Sequence, residues 1–313
     1  MSWKSFAPSN IALIKYMGKE PGNRATNPSL SMTLKDFRTE VEISPLTGAE
    51  NDRWRPLPNS APLREESTVR FVKFFQRLKA EAGVEGFFEL KSGNNFPSDA
   101  GLASSASSFA ALTRTAHMAF AEILGKPMPS PEALAKISQT GSGSSCRSFF
   151  SPWCAWEGEK IGPVENSLPP LVDFVAVIET GFKKVSSSEA HQRVRTSDLF
   201  STRSTRVENR MKELTAAMKA GNLPRVAEIS WAELWDMHSL FHTSVPPFSY
   251  FSPGTVAMLR WVEERWEKEG KGPIATIDAG PNVHLLVPVS ERERYRALLG
   301  EAHPGIKFVE SEA

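Results

Sequence analysis

Only two of the 313 residues are cysteine, Cys146 and Cys154, and no CxxC or clustered Cys/His set accompanies them. One bridge could not staple a chain of this length, so neither a disulfide framework nor a structural zinc site is expected. Also missing is any run approaching the ~20 apolar residues of a membrane-spanning helix, and the first eight residues hold no apolar leader core. A cytoplasmic protein without membrane contact is the expectation. Charge of one sign is lacking as well: 37 Lys+Arg against 36 Asp+Glu leave a formal net charge of +1, which supplies no global basic field for nucleic acid.

What the chain does have is the composition of a folded globular protein, 40% hydrophobic with 19 Phe and 8 Trp. Its length suits one large core or two ordinary ones. Helical spacing joins Val69, Val72, Phe75 and Leu78, and again Val207, Met211, Leu214 and Met218, stopped by Gly221. Ser130-Pro131-Glu132 reads as an N-cap with proline in the first turn, and residues 255–268 carry Val256, Leu259, Val262 and Trp266. Strands are expected at 40–44, 86–91, 274–278, 283–287 and 306–309, and the polar run 51–62 reads as a surface loop. Helices and strands interleave without a strict βαβ alternation, which favours an α+β class. The apolar strand 172–178 follows a polar connection, and the expected division falls after it, into domains 1–178 and 179–313.

Four segments carry chemistry. In residues 94–108 a small-residue loop with Pro97, Gly101, Leu102, Ala103, Ser104 and Ser105 opens a helical run. Free backbone N–H groups and the positive end of a helix dipole suit phosphate there; a Ser-capped helix packed through its alanines explains the loop equally well. A second loop, Gly141-Ser142-Gly143-Ser144-Ser145-Cys146-Arg147, lets the backbone approach a ligand and ends in a guanidinium able to grip a carboxylate or phosphate, although a flexible linker has the same composition. Asp278 ends an apolar strand and turns through Gly280-Pro281-Asn282, a position open to a general base or to a turn cap. Lys15 and Lys19 are four apart, so a helical turn would set both ammoniums on one face.

Together these segments resemble the GHMP kinase superfamily and, within it, the diphosphomevalonate decarboxylases. The resemblance rests on Lys15-Tyr16-x-Gly18-Lys19, the 97–108 loop, 141–148, 183–188, Met237-His238 and Asp278-Ala279-Gly280-Pro281-Asn282. It implies two α+β domains, ribosomal protein S5 domain 2-like and ferredoxin-like, with the active site between them. It implies ATP and Mg²⁺, a phosphorylated mevalonate as substrate, and often a homodimer. It assigns Asp278 to the substrate's C3 hydroxyl, Arg147 to its carboxylate, and Lys15 to the reacting centre. Tyr16, Lys19, Arg70, Ser142, Gly143 and Ser144 fall on substrate positions. Pro97, Gly101, Leu102, Ala103, Ser104, Ser105 and Ser187 fall on the nucleotide side. His238 reads as a packed or hydrogen-bonded structural residue. The resemblance leaves open a monophosphate substrate, or a mevalonate-type kinase that stops before decarboxylation.

Overall fold

A computed structural model describes residues 1–96, 104–179 and 184–313, and it divides their strands between two sheets. The first is organised by one long strand. β2 (Ser29–Leu46) pairs along one edge with β1 (Trp3–Ile14), while its other edge is shared by β4 (Phe87–Asn94) and β5 (Trp153–Glu157). All three pairings are antiparallel. β3 (Arg53–Pro56) adds to β4 in parallel, and β6 (Lys160–Pro163) closes the other side on β5. A strand at 53–56 corrects the expectation of plain loop across 51–62; Trp54 donates its indole N–H to Ser92 and holds the short edge strand in place.

The N-terminal segment is a second correction. β1 runs in extended backbone to Ile14, so no helical turn links Lys15 with Lys19. The apolar and small residues at 9–14 are buried on both faces of the sheet, a pattern that helical spacing alone cannot identify.

On this sheet pack α1 (Glu65–Ala82), α2 (Ser104–Leu124) and α3 (Pro131–Gln139). α1 turns a different stripe inward from the one read in sequence: Phe71, Phe74, Phe75 and Leu78 are buried, and Val69 is exposed. Ser130 caps α3 by accepting from the Ala133 N–H, as expected of Ser-Pro at a helix start. The loop after α3 is no flexible linker; Gly143–Phe149 forms a 3₁₀ turn with Ser145, Cys146 and Arg147 buried.

The second sheet is antiparallel throughout, in the order β10 (Lys307–Glu312), β7 (Leu171–Val177), β9 (Val283–Pro288), β8 (Ile274–Thr276). β7 is therefore bonded to the C-terminal half, on the far side of the polar connection from β6, whereas the sequence division was drawn after it. The helices of this half are α4 (Ser187–Arg193), α5 (Arg203–Lys219), α6 (Leu223–Thr243), α7 (Pro253–Glu269) and α8 (Arg292–Ala302). On α5 the expected stripe Val207, Met211, Leu214 and Met218 is buried in full. On α7, Leu259 and Val262 are buried and Val256 is exposed. The largest apolar cluster belongs to neither half alone: Ile11, Leu13, Leu30 and Met32 interdigitate with Val175, Met211, Ile229 and Leu286. Burial of that surface joins the two halves into one body.

Candidate active site

Where the halves meet, β1 ends against β8. The Thr276 hydroxyl donates to the Ala12 carbonyl at 2.9 Å, which brings the residue after Ile14 beside the residue two beyond Thr276. As a result the Lys15 Nζ donates to Asp278 Oδ1 at 2.6 Å. Lys15 is 1% exposed, while the Asp278 side chain keeps 29% of its surface open to the cleft, so the carboxylate remains within reach of a ligand. Burial alone would raise the Asp278 pKa, but the charge and hydrogen bond of Lys15 outweigh it and hold the carboxyl below its ordinary value. For Lys15 the balance falls the other way: burial lowers its pKa more than Asp278 raises it.

The Lys15 backbone is gripped from the C-terminal half. Its N–H donates to Glu233 Oε1 at 3.2 Å, and Arg203, 1% exposed, donates to its carbonyl and to Glu233 Oε1 at 2.6 Å. Arg203, Arg206 and Arg210 on α5 face Glu233 and Asp236 on α6, an ion network enclosed between two helices.

Arg147 is held differently. It is 3% exposed, and its hydrogen-bond acceptors are neutral: Ser31 Oγ at 3.0 Å from Nε, Ser29 Oγ at 2.7 Å from Nη1, and Asn10 Oδ1 at 3.4 Å from Nη2. A guanidinium has five N–H donors; three are used here, leaving one on each terminal nitrogen. That remaining fork matches a carboxylate, and the buried cation has no anion bonded to it among the described residues.

Lys15, Tyr16, Lys19, Arg70, Ser105, Ser142, Gly143, Ser144, Arg147, Ser187 and Asp278 line one cleft. Lys15 and Lys19 thus share the site through an extended backbone, with a turn at Gly18 (φ +91°) and a bridge between Lys19 and Ala25. Arg70 lies over the Phe109 ring at 4.6 Å and donates to the Gly141 carbonyl at 2.6 Å, fixing the second glycine loop beside α1. Gly143 is there because Tyr16 is: a Cβ at that position would lie 2.6 Å from the phenol ring. Ser104 is set back at the start of α2, its carbonyl accepting from Ser107 and Ser108. Pro97, Gly101, Leu102 and Ala103 lie outside the described residues.

Several residues of the cleft carry no sequence signal of their own. Asn23 and His191 line it from two different segments, and the Arg203 clamp reads in sequence as one more basic helix face. His238 is fully buried and stacked on Phe251 at 4.4 Å, and burial pushes its pKa down to about 3. It is a packed residue set beside the Ile277 backbone.

A cation-rich cleft between two α+β domains, with a serine-bearing helix start on one wall and a Lys–Asp pair at its floor, defines a phosphate-handling enzyme of the GHMP kinase type. The diphosphomevalonate decarboxylase-like N-terminal domain matches residues 7–168, and the mevalonate 5-diphosphate decarboxylase C-terminal domain matches residues 174–312. The chain belongs to the diphosphomevalonate decarboxylase family. It is 35% identical to the diphosphomevalonate decarboxylase of Gibberella zeae over 308 residues, spanning 88% of this chain and 78% of the relative. Its fold matches the crystal structure of a mevalonate diphosphate decarboxylase from Legionella pneumophila with a TM-score of 0.93 at 40% identity, over 99% of this chain and 100% of that one. A further structure, MDDEF in complex with MVAPP, AMPPCP and magnesium, matches at 30% identity and a TM-score of 0.87, over 100% of this chain and 97% of that one.

Proposed function

We propose that the protein catalyses the ATP-dependent decarboxylation of (R)-5-diphosphomevalonate to isopentenyl diphosphate, releasing ADP, phosphate and CO2 in the mevalonate pathway of isoprenoid synthesis. The observation that carries this reading is the meeting, in one cleft, of the Lys15–Asp278 pair and an Arg147 with no anion bonded to it among the described residues. Asp278, held ionised by Lys15, accepts or orients the proton of the C3 hydroxyl. The hydroxyl oxygen attacks the γ-phosphorus of ATP, the bridging P–O bond to ADP breaks, and C3 now bears phosphate. The C3–O bond then breaks with departure of phosphate. The electron pair of the bond between C2 and the carboxylate carbon becomes the new double bond, and CO2 leaves. Arg147 orients that carboxylate through its two unused N–H groups.

Mg²⁺, when bound, neutralises charge on the transferring phosphoryl group. The donor set suits this: Asp278 is the one carboxylate among the described lining residues, against Lys15, Lys19, Arg70 and Arg147, so a divalent cation there would rely on phosphate oxygens, water and the Ser105 hydroxyl. Lys19 and Arg70, with Tyr16, Ser142, Gly143 and Ser144, take the substrate's diphosphate end. Ser104, Ser105 and Ser187, with the Pro97 and Gly101 to Ala103 stretch, take the nucleotide phosphates. We infer a domain boundary within the 164–170 connection, a cytoplasmic homodimer as the working form, and no nucleic-acid or membrane partner; no helix of the described residues is long and apolar enough to cross a membrane.

The test is a steady-state assay of ADP and CO2 on mevalonate, its 5-phosphate and its 5-diphosphate, each with ATP and Mg²⁺. Equal amounts of ADP and CO2 from the diphosphate support the reading. ADP without CO2 would make the protein a kinase, and CO2 from the monophosphate alone would change its substrate.

A further inference from the structure

His191 stands in α4 and lines the same cleft as Lys19, Arg70 and Ser188. Its Nδ1 sits 3.0 Å from the backbone nitrogen of Gly18. A backbone N–H can only donate, so Nδ1 is the bare, accepting nitrogen, and in the neutral ring the proton is on Nε2. The ring is fixed from a second side by Tyr16, whose centroid is 4.4 Å away, and Tyr16 in turn meets Trp156 and donates to the Asn23 carbonyl. The imidazole cannot rotate without breaking the Gly18 bond or displacing Tyr16. Nε2 has no protein partner among the described residues.

We propose that His191 is a substrate-binding residue, donating its Nε2–H as a neutral imidazole to a phosphoryl oxygen at the diphosphate end of the substrate. The ligand class rests on the reading above. The physical case is one of charge economy. Lys19 and Arg70 already repel each other, and a third cation beside Lys19 would be hard to hold in the cleft. A neutral N–H beside Lys19 adds a directed hydrogen bond to an anion without repelling that ammonium. Burial, reinforced by the Lys19 charge, pushes the His191 pKa down to about 3, so the ring stays neutral across the working range. The charged and titratable groups around it on the cleft are Lys15, Tyr16, Lys19, Arg70, Arg147 and Asp278. Protonation would also require Nδ1 to give up the Gly18 N–H.

The test uses the full-length protein and two variants. His191→Phe keeps a flat ring against Tyr16 and removes both nitrogens; His191→Gln returns a donor and an acceptor without the ring. In His191→Phe, KM for diphosphomevalonate should rise roughly tenfold or more with kcat within about twofold and the KM for ATP unchanged, and His191→Gln should recover part of the loss. The loss should be the same at pH 6 and pH 8, whereas a protonated histidine would matter only at the lower pH. Independently of turnover, ¹⁵N-histidine spectra of the wild type should show the His191 Nε2–H signal moving when inorganic pyrophosphate is added, with Nδ1 unprotonated throughout. An unmoved signal at saturating pyrophosphate, or an unchanged KM in His191→Phe, overturns the proposal. A wild type that responds to pyrophosphate yet releases no CO2 from diphosphomevalonate leaves His191 as an anion ligand and overturns the decarboxylase reading instead.

Discussion

Lys15 Nζ and Asp278 Oδ1 are 2.6 Å apart although 263 residues separate them along the chain. Their contact is made by the junction of β1 with β8, so the reacting pair reports directly on how the two halves are docked.

Removing the carboxylate by Asp278→Asn should lower kcat by about 10²–10⁴, the usual range for a general base, with little change in binding of an ATP analogue measured by calorimetry. Retained turnover would exclude Asp278 from proton transfer.

The pH dependence follows from the direction of each shift. Asp278 titrates below its ordinary value, so kcat/KM should be flat across neutral pH and decline only in the acid range as the carboxylate is protonated. Lys15 titrates below the ordinary lysine value because it is buried, so the alkaline limb should begin earlier than for a free ammonium. In Lys15→Met the half-buried carboxylate loses its partner, and the acid limb of the residual activity should move to higher pH.

Arg147→Lys should not behave as a conservative change. A single ammonium cannot bond Ser29, Ser31 and Asn10 and still offer a fork to a carboxylate, so we expect kcat/KM to fall by about 10²-fold or more with the fold intact by circular dichroism.

Glu233→Gln tests the clamp beneath Lys15. It removes one of the two carboxylates paired with the buried Arg203 and with Arg210, leaving Asp236 as their remaining partner, and the loss should be at most about 3–5 kcal/mol in denaturant unfolding. Asp236 adds a pH signature. Burial raises its pKa, but the hydrogen bond of Arg206 and the charges of Arg203 and Arg210 outweigh this and hold it far below the usual carboxylate range. Its folded pKa being depressed, its contribution is present at neutral pH and fades as acid approaches that lowered value. Asp236→Asn should therefore destabilise at pH 7 and make stability less sensitive to acid.

Gly143→Ala places a Cβ against the Tyr16 ring, which is already confined by Trp156 and His191. The expected result is at least about a tenfold loss in kcat/KM with a small change in melting temperature, because the ring must shift within the cleft rather than in the core.

The parts of the site visible in sequence are those where residue type and chemistry coincide: small-residue loops, a guanidinium after alternating glycine, a carboxylate at a strand end. Residues whose identity is generic, in the cleft or supporting it, were not visible. Arg203, Arg206 and Arg210 repeat at helical spacing and look like a solvated face, and only the packing of α5 on α6 turns them inward. His191 looks like any histidine in a short helix until Gly18 and Tyr16 are seen against it. The same limit explains the fold-level differences. Residues 9–14 are buried on both faces and so lack the alternation that marks a strand, and β7 could be given to its proper sheet only once its partners β9 and β10 were known.

The core shared between the halves also decides what a break in the backbone would do. Cut within 164–170, the protein becomes two pieces, one bearing Lys15 and Arg147, the other bearing Asp278 and the Arg203–Glu233 clamp. Alone, the first piece would expose Ile11 and Leu13 and the second Val175 and Leu286, and only their reassociation restores the reacting pair. Turnover by the nicked protein would then measure fragment complementation, with a dependence on concentration that the unbroken chain does not have.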